Sequence, residues 1–311
     1  MIINIIPESL ELIYELCKSM TEWWIYRGHS KEKWDLKTTL ERGIDSIFGN
    51  ERFIGLNPIV EDRILLDFQR RAHHYISCIP EENDRLEWLS LIQHYGGPTR
   101  LLDFTHSFYV ALYFAIDKAF SDAAVWCINL EFISERINLR YNTEIDLANL
   151  GSKDYVTKVN HILRELYNDQ FILVAEPFRM HERLSIQKGV FVIPCNLNSH
   201  FIDNLAETIQ ESKNIFRPGQ RRDLTNENKN TLIEELKSYP LFKLIIPKKY
   251  HLDIFEDLDK MNINAATLFP GLDGFARYQY RYIRKTEKLR NILEEEAPKL
   301  LTKYPPKTNI Q

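Results

Sequence analysis

Residues 93–115 read QHYGGPTRLLDFTHSFYVALYFA. Upstream, Trp88, Leu91, Ile92 and Tyr95 fall on one stripe and predict a helix over 84–95. Gly96, Gly97 and Pro98 stop it, because glycine accepts the left-handed terminal conformation and proline cannot continue the hydrogen-bond ladder. Downstream, Phe108, Ala111, Leu112, Ala115, Ile116 and Ala119 recur three and four residues apart. They predict a second helix whose small residues let it lie close against a sheet, with Asp103, Thr105 or Ser107 to cap its start. The crossing between the two helices holds more polar chemistry than a connector needs. A helix N-terminus offers unpaired N–H groups at the positive end of its dipole and so receives an anion readily. Thr99, Thr105 and Ser107 add hydroxyls there and Arg100 a charge; the alternative uses Asp103 and Thr105 as caps and pairs Arg100 with Asp103.

Outward from this stretch, Leu10, Ile13, Tyr14 and Cys17 predict a helix over 8–20, and EWWIYRG (22–28) a short strand stopped by Gly28. Residues 29–57 read as irregular, anchored by Trp34, Leu36 and Leu40, with a helix over 59–77. AAVWCINL (123–130), FILVAEP (171–177), LSIQKGVFVIP (184–194) and LFKLIIP (241–247) read as strands. Residues 133–168 and 198–238 read as mostly helical, as do 250–261 and about 274–298. Strands and helices mix without regular alternation, which predicts an α+β fold with a mixed central sheet and helices packed around it. The expected organisation is one domain over 1–276, with core motifs in 22–130 and later strands in 171–194 and 241–247, then a C-terminal helix and tail over 277–311.

The 311 residues suffice for a large core, and 44% hydrophobic with 27% charged residues is an ordinary globular composition. A formal net charge of −4 argues against a polyanion-binding surface over the whole molecule. Cys17, Cys78, Cys127 and Cys195 form no CxxC pair, which suits plain thiols in a reducing compartment. The start, MIINIIPESLELIYEL, has no basic region or cleavage signature, and no apolar run has the length of a membrane span. A cytoplasmic location without membrane contact is the expectation.

Arg27 sits at the end of the first predicted strand, immediately before a glycine. A guanidinium projected from a rigid element, with Gly28 giving a ligand access to the backbone, suits a phosphate or carboxylate. The alternative is an Arg–carboxylate pair bracing a turn. His73, His74, His94 and His106 lack ligand spacing, so no metal site is expected. The sequence holds no nucleophile elbow, P-loop or Rossmann glycine pattern. Arg183 and Gln187 form a polar pair around the start of the predicted strand 184–194. Arg277, Arg281, Arg284 and Lys288, with Tyr278 and Tyr282 beside them, make a basic helix face over 277–288 that is either a nucleic-acid contact or a solvated surface.

Together these residues resemble the FRG domain family, named for a Phe-Arg-Gly tripeptide that stands here as Tyr26-Arg27-Gly28. Trp34-x-Leu36, Leu40, Arg42 and above all residues 93–115 carry the resemblance, which is tight over about 22–130 and looser at 183–194 and 267–276. Such domains often sit in bacterial defence or toxin-like settings, which implies a protein partner or antitoxin. A second resemblance is to the ADP-ribosyltransferase superfamily: a strand ending in YRG, a loop with Thr and Ser feeding an A-L-x-F-A helix, then a later strand with a polar residue. It implies an ADP-ribosyltransferase-like core with NAD as substrate, either transferring ADP-ribose or hydrolysing NAD. Arg27 would hold a phosphate or ribose, Thr105 and Ser107 would line the nicotinamide end, and Gln187 would orient the ribose. His94 and Asp103 would serve as acid–base or orienting groups, with Tyr26, Gly28, Thr99 and Arg100 among the cofactor-binding residues. Where that superfamily places a glutamate, this chain has Gln187, which cannot stabilise an oxocarbenium-like transition state by charge. Asp103, Glu176 or Glu182 would have to supply it. The competing implication is a module that binds or senses a nucleotide or nucleic acid without turnover.

Overall fold

The computed structural model describes residues 2–49, 56–141, 147–165, 169–209, 220–286 and 290. The chain divides into two compact units, Met1–Lys248 and Lys249–Gln311. The first unit begins β1 (Ile3–Pro7), α1 (Leu10–Ser19), β2 (Trp24–His29), α2 (Thr39–Phe48), α3 (Leu56–Arg71), α4 (Arg85–His94), β3 (Leu102–Thr105), α5 (Phe108–Ile116) and β4 (Ala123–Asn129). It continues α6 (Leu130–Tyr141), α7 (Lys153–Arg164), β5 (Ile172–Ala175), α8 (Glu182–Ile186), β6 (Gly189–Pro194), α9 (Phe201–Thr208), β7 (Arg221–Leu224), α10 (Lys229–Lys237) and β8 (Leu241–Ile246). The strands form one mixed sheet in the order β5-β6-β3-β2-β4-β8-β1-β7. Neighbours are antiparallel except at β1, which runs parallel to both β8 and β7. A mixed sheet with helices around it is the expected α+β arrangement.

Register separates the two faces. Along β2, Trp24, Tyr26 and Gly28 point one way and Ile25, Arg27 and His29 the other. Tyr26 opposes Cys127, which opposes Phe242, giving one face an apolar row. Helix α5 lies on this face, with the Phe108 ring edge-on to Tyr26 at 5.4 Å. A Cβ on Gly28 would stand 2.1 Å from the Ala111 carbonyl oxygen and 2.3 Å from the Ala115 nitrogen. The glycine and the small residues of α5 are therefore what let helix and strand touch. On the other face Ile25, Leu102, Phe104 and Trp126 join α4, α6, α7 and α9 through Leu86, Ile133, Val159 and Phe201 in the main hydrophobic core.

That second face also carries a polar row across five strands: Arg27, Trp126, Lys243, Asn4 and Arg221. Polar groups in the middle of a sheet must find partners. The segment after β2 supplies them. Lys243 Nζ donates to the carbonyls of Glu32 and Trp34 and lies 4.7 Å over the Trp126 ring, while the Glu32 carboxylate pairs with Arg221 at 3.2 Å.

Several elements differ from the sequence expectation. Residues 29–57 contain α2, started by a capping box in which Thr38 and Glu41 satisfy each other's backbone N–H. The strand expected over 184–194 is a short helix, α8, capped by His181, then β6; Lys188, with φ of 47°, makes the turn between them. The short strands β1, β3 and β7 were not expected.

The second unit contains α11 (His251–Lys260), α12 (Ala265–Leu268) and α13 (Leu272–Tyr278), with residues 280–286 also helical. The guanidiniums of Arg277, Arg281 and Arg284 lie over Phe269, Tyr278 and Phe255 at 4.0, 4.0 and 3.6 Å. The basic stripe is thus packed on the unit's own aromatic rings; Lys288, and the helix expected at 291–298, fall outside the described residues. Among the described residues no helix is long and apolar enough to cross a membrane, and all four cysteines are free thiols.

Candidate functional site

Strands β2 and β3 share one paired position, Tyr26 with Thr105. Beside it Arg27 reaches across to β3. Its Nη1 donates to the Asp103 carbonyl and lies 3.8 Å from Asp103 Oδ2, and its Nε donates to His29 Nε2 at 3.2 Å. A guanidinium has five N–H donors. Nη2 has no partner among the described residues, and the side chain keeps 18% of its surface exposed. Burial draws the Arg27 pKa down to about 10, and Arg42 adds to this against the opposing pull of Asp103. Arg27 therefore stays charged at neutral pH.

His29 is the support beneath it. Burial, followed by Arg27, pushes the His29 pKa down to about 3; Lys243 and Arg42 act the same way and the Trp34 carbonyl opposes them. Three cations bear on one neutral imidazole. Arg42, on α2, is exposed and donates Nη1 to the Lys37 carbonyl at 2.6 Å.

Asp103 is held from the other side by a polar chain. The Thr99 hydroxyl donates to Gln93 Oε1, and Gln93 Nε2 donates to Asp103 Oδ1 at 2.7 Å. The Asp103 side chain is 59% exposed, so the carboxylate stands in solvent next to the open edge of Arg27. One residue after Gln93, the His94 ring packs on His181 with centroids 4.1 Å apart. Burial and Arg183 lower the His94 pKa. Burial, His94 and Arg183 take His181 down to about 4, with Asp103 opposing. His94 Nδ1 is buried and has no hydrogen-bond partner among the described residues. Arg27, Asp103 and His94 thus belong to one neighbourhood.

The other expected residues do not join it. Arg100 is buried: its Nε donates to both carboxylate oxygens of Glu61 at 2.9 and 2.8 Å, and Arg85 closes the same carboxylate at 2.8 Å. Thr105 opposes Tyr26, so its side chain leaves the sheet on the face opposite to Arg27. Its hydroxyl donates to the Gln187 carbonyl at 2.7 Å and accepts from the Ser107 N–H at 2.9 Å. Ser107 caps α5 by accepting from the Val110 N–H. Gln187 terminates α8 instead of lying on a strand. Tyr26 is core, its hydroxyl pKa raised by burial and by the nearby Cys127 and Cys17 thiols, and Gly28 is filled by α5 rather than open to a ligand. Thr99 contributes at one remove, through Gln93. Glu176 pairs with His106 at 3.0 Å.

His29, Gln93 and His181 were not singled out from the sequence. For His29 a signal exists, because it lies two residues beyond Arg27 on the same strand face. His181 is brought in only by the tertiary fold. Among the described residues one group has metal-ligand character: Glu41, Asp45 and His200, with donor atoms within 4.8 Å of one another. Glu41 bonds His200 Nδ1 at 2.6 Å and Asp45 bonds Lys37 Nζ at 2.8 Å, so direct pairs already link these charges.

With this geometry in view, the comparison with known families is specific. Residues 22–124, about a third of the chain, match the FRG domain model. Arg27, His29, Arg42, Gln93, His94 and Asp103 fall inside that segment, whereas His181, Arg183 and Lys243 are supplied from beyond it. No curated protein and no solved structure matches the chain significantly.

Proposed function

We propose that the FRG domain binds a phosphate-bearing ligand of the nucleotide class at Arg27, with NAD the first candidate. The observation that carries this reading is the state of the Arg27 guanidinium, fixed by His29 and Asp103 on one side and without a partner at Nη2. Arg42 and Lys243 add positive charge within range of the same imidazole. Cations held together against their mutual repulsion favour an anion between them. Binding of NAD, ADP-ribose and pyrophosphate, followed by calorimetry, is expected in the wild type. Arg27→Ala should weaken it about ten- to hundredfold, the range for a lost charge-assisted hydrogen bond. Equal affinity in both proteins would refute the assignment.

A second reading is NAD turnover, by ADP-ribose transfer or hydrolysis on an ADP-ribosyltransferase-like core. Its support is the exposed Asp103 carboxylate beside Arg27, an acid of the kind that stabilises an oxocarbenium ion. Thr105, Ser107 and Gln187 lend it nothing, since the two hydroxyls are used to start α5 and Gln187 lies at a helix end. A toxin or defence role belongs with this reading, because consuming NAD or modifying a target is what would harm a cell. Nicotinamide release that depends on Asp103 is the measurement that decides it.

A further inference from the structure

Helix α2 and the start of α9 meet at the group of metal-ligand character, Glu41, Asp45 and His200, whose donor atoms lie within 4.8 Å of one another. Glu41 and Asp45 are four residues apart on α2, so both carboxylates leave the same helix face. His200 precedes α9 and meets Glu41 across 159 residues of sequence. It is not one of the four histidines whose spacing argued against a metal. The side chains are 5% exposed at Glu41, 18% at Asp45 and 39% at His200, so burial is deepest at the glutamate and solvent enters at the histidine.

The glutamate is oriented by the backbone around it. Its Oε2 accepts from the Thr38 N–H, within the capping box of α2, at 3.4 Å and from the Phe201 N–H at 3.5 Å. Its Oε1 bonds His200 Nδ1 at 2.6 Å. A carboxylate fixed at one oxygen presents the other as a preset ligand. Asp203 accepts from the His200 N–H at 3.3 Å, and Leu40 and Ile44 of α2 pack on Leu197, which steadies both sides of the group. Asp45 bonds Lys37 Nζ at 2.8 Å, but the lysine side chain is 38% exposed. So exposed an ion pair is worth little and yields readily to a divalent cation. Zinc bonds of about 2.0 Å set the ligand atoms of a tetrahedral site about 3.3 Å apart. The Glu41–His200 contact would open and Asp45 would close in, by no more than about 1.5 Å.

We infer that Glu41, Asp45 and His200 form a site for a divalent transition ion of the zinc class, which clamps α2 to the start of α9 and leaves a fourth position to water. One imidazole with two carboxylates suits zinc, whereas magnesium and calcium take oxygen ligands. The site is independent of the ligand proposed at Arg27. Protein stripped with EDTA and freed of the chelator is titrated with Zn²⁺ by calorimetry, and melting temperatures are recorded with and without the ion. The wild type should take up zinc at this site and melt higher with it. Glu41 is too deeply buried to give a clean variant, so the two outer ligands carry the test. Asp45→Asn and His200→Gln should each weaken zinc binding about tenfold or more, with zinc-free melting curves confirming that both variants fold. Lys37→Ala removes the cation that competes for Asp45 and should bind zinc more tightly, a gain that a purely structural ion pair would not give. Zinc uptake that is absent from the wild type, unchanged in both Asp45→Asn and His200→Gln, or weakened in Lys37→Ala overturns the site.

Discussion

Two arginines of the FRG segment, Arg27 and Arg100, each face a carboxylate, and they are in opposite physical states. Arg100 is sealed: its side chain is 3% exposed and bonds the wholly buried Glu61, which Arg85 reaches as well. Arg27 meets an exposed carboxylate at 3.8 Å and keeps one edge open. A guanidinium shut in with its carboxylate can only brace, while one that solvent reaches is in a state that suits a ligand. Residue type and motif membership do not distinguish the two. Exposure does.

Removing the carboxylate on the sealed side gives the largest effect. Burial alone would raise the Glu61 pKa, but Arg100 and Arg85 outweigh it and hold the carboxyl below its usual range. Glu61→Gln strands two guanidiniums, one of them buried, and should cost about 3–5 kcal/mol by urea denaturation. The matching change on the open side, Asp103→Asn, meets solvent and should cost under about 1 kcal/mol. Similar losses in the two variants would erase the distinction.

Next comes Gly28, the neighbour of Arg27 on the opposite face. Gly28→Ala drives a methyl into the backbone of α5 at Ala111 and Ala115 and should cost about 1–3 kcal/mol or more. Because the damage lies behind the sheet, surviving protein should keep its affinity for pyrophosphate. Lost affinity at unchanged stability would return Gly28 to the ligand side.

These contrasts show where the sequence was legible. Long periodic stretches gave α4, α5 and β4, and the small-residue stripe of α5 correctly implied close packing on a sheet. Arg27, Asp103 and His94 were found as candidates and do share a neighbourhood. The error lay in LDFT, read as a loop feeding a helix. Its alternation of apolar Leu102 and Phe104 with polar Asp103 and Thr105 is the strand signal, but four residues are too few to stand out beside helix caps. Reading β3 would have set Thr105 opposite Tyr26, but the same alternation puts Asp103 on that face too, and its approach to Arg27 at 3.8 Å is not given by the pattern. Glu61 could not have been found at all, since it meets Arg100 across thirty-nine residues through tertiary packing alone.

The pH dependence sharpens the comparison from beneath Arg27. The folded pKa of His29 lies near 3 and the unfolded value near 6.5, so between them the unfolded chain binds the extra proton. Stability from this ring is whole above about pH 6.5 and declines as pH falls towards 3, at up to about 1.4 kcal/mol per unit. His29→Gln should flatten that slope. The difference between the two proteins, from denaturation across pH 4–7, isolates His29 from His181, whose pKa is also low. Parallel curves would mean that His29 is not the neutral support of Arg27.

The smallest effect is expected at Gln187, and it tests which of the expected site residues remain. The Thr105 hydroxyl bonds the Gln187 backbone carbonyl, and the Gln187 N–H bonds the Arg183 carbonyl. Both contacts survive side-chain truncation. Gln187→Ala should therefore change stability by less than about 1 kcal/mol and leave NAD affinity where it was, in contrast to Arg27→Ala. If it cost tenfold in NAD affinity instead, the glutamine would be holding a ribose, and the ligand would have to extend past β3 to the end of α8.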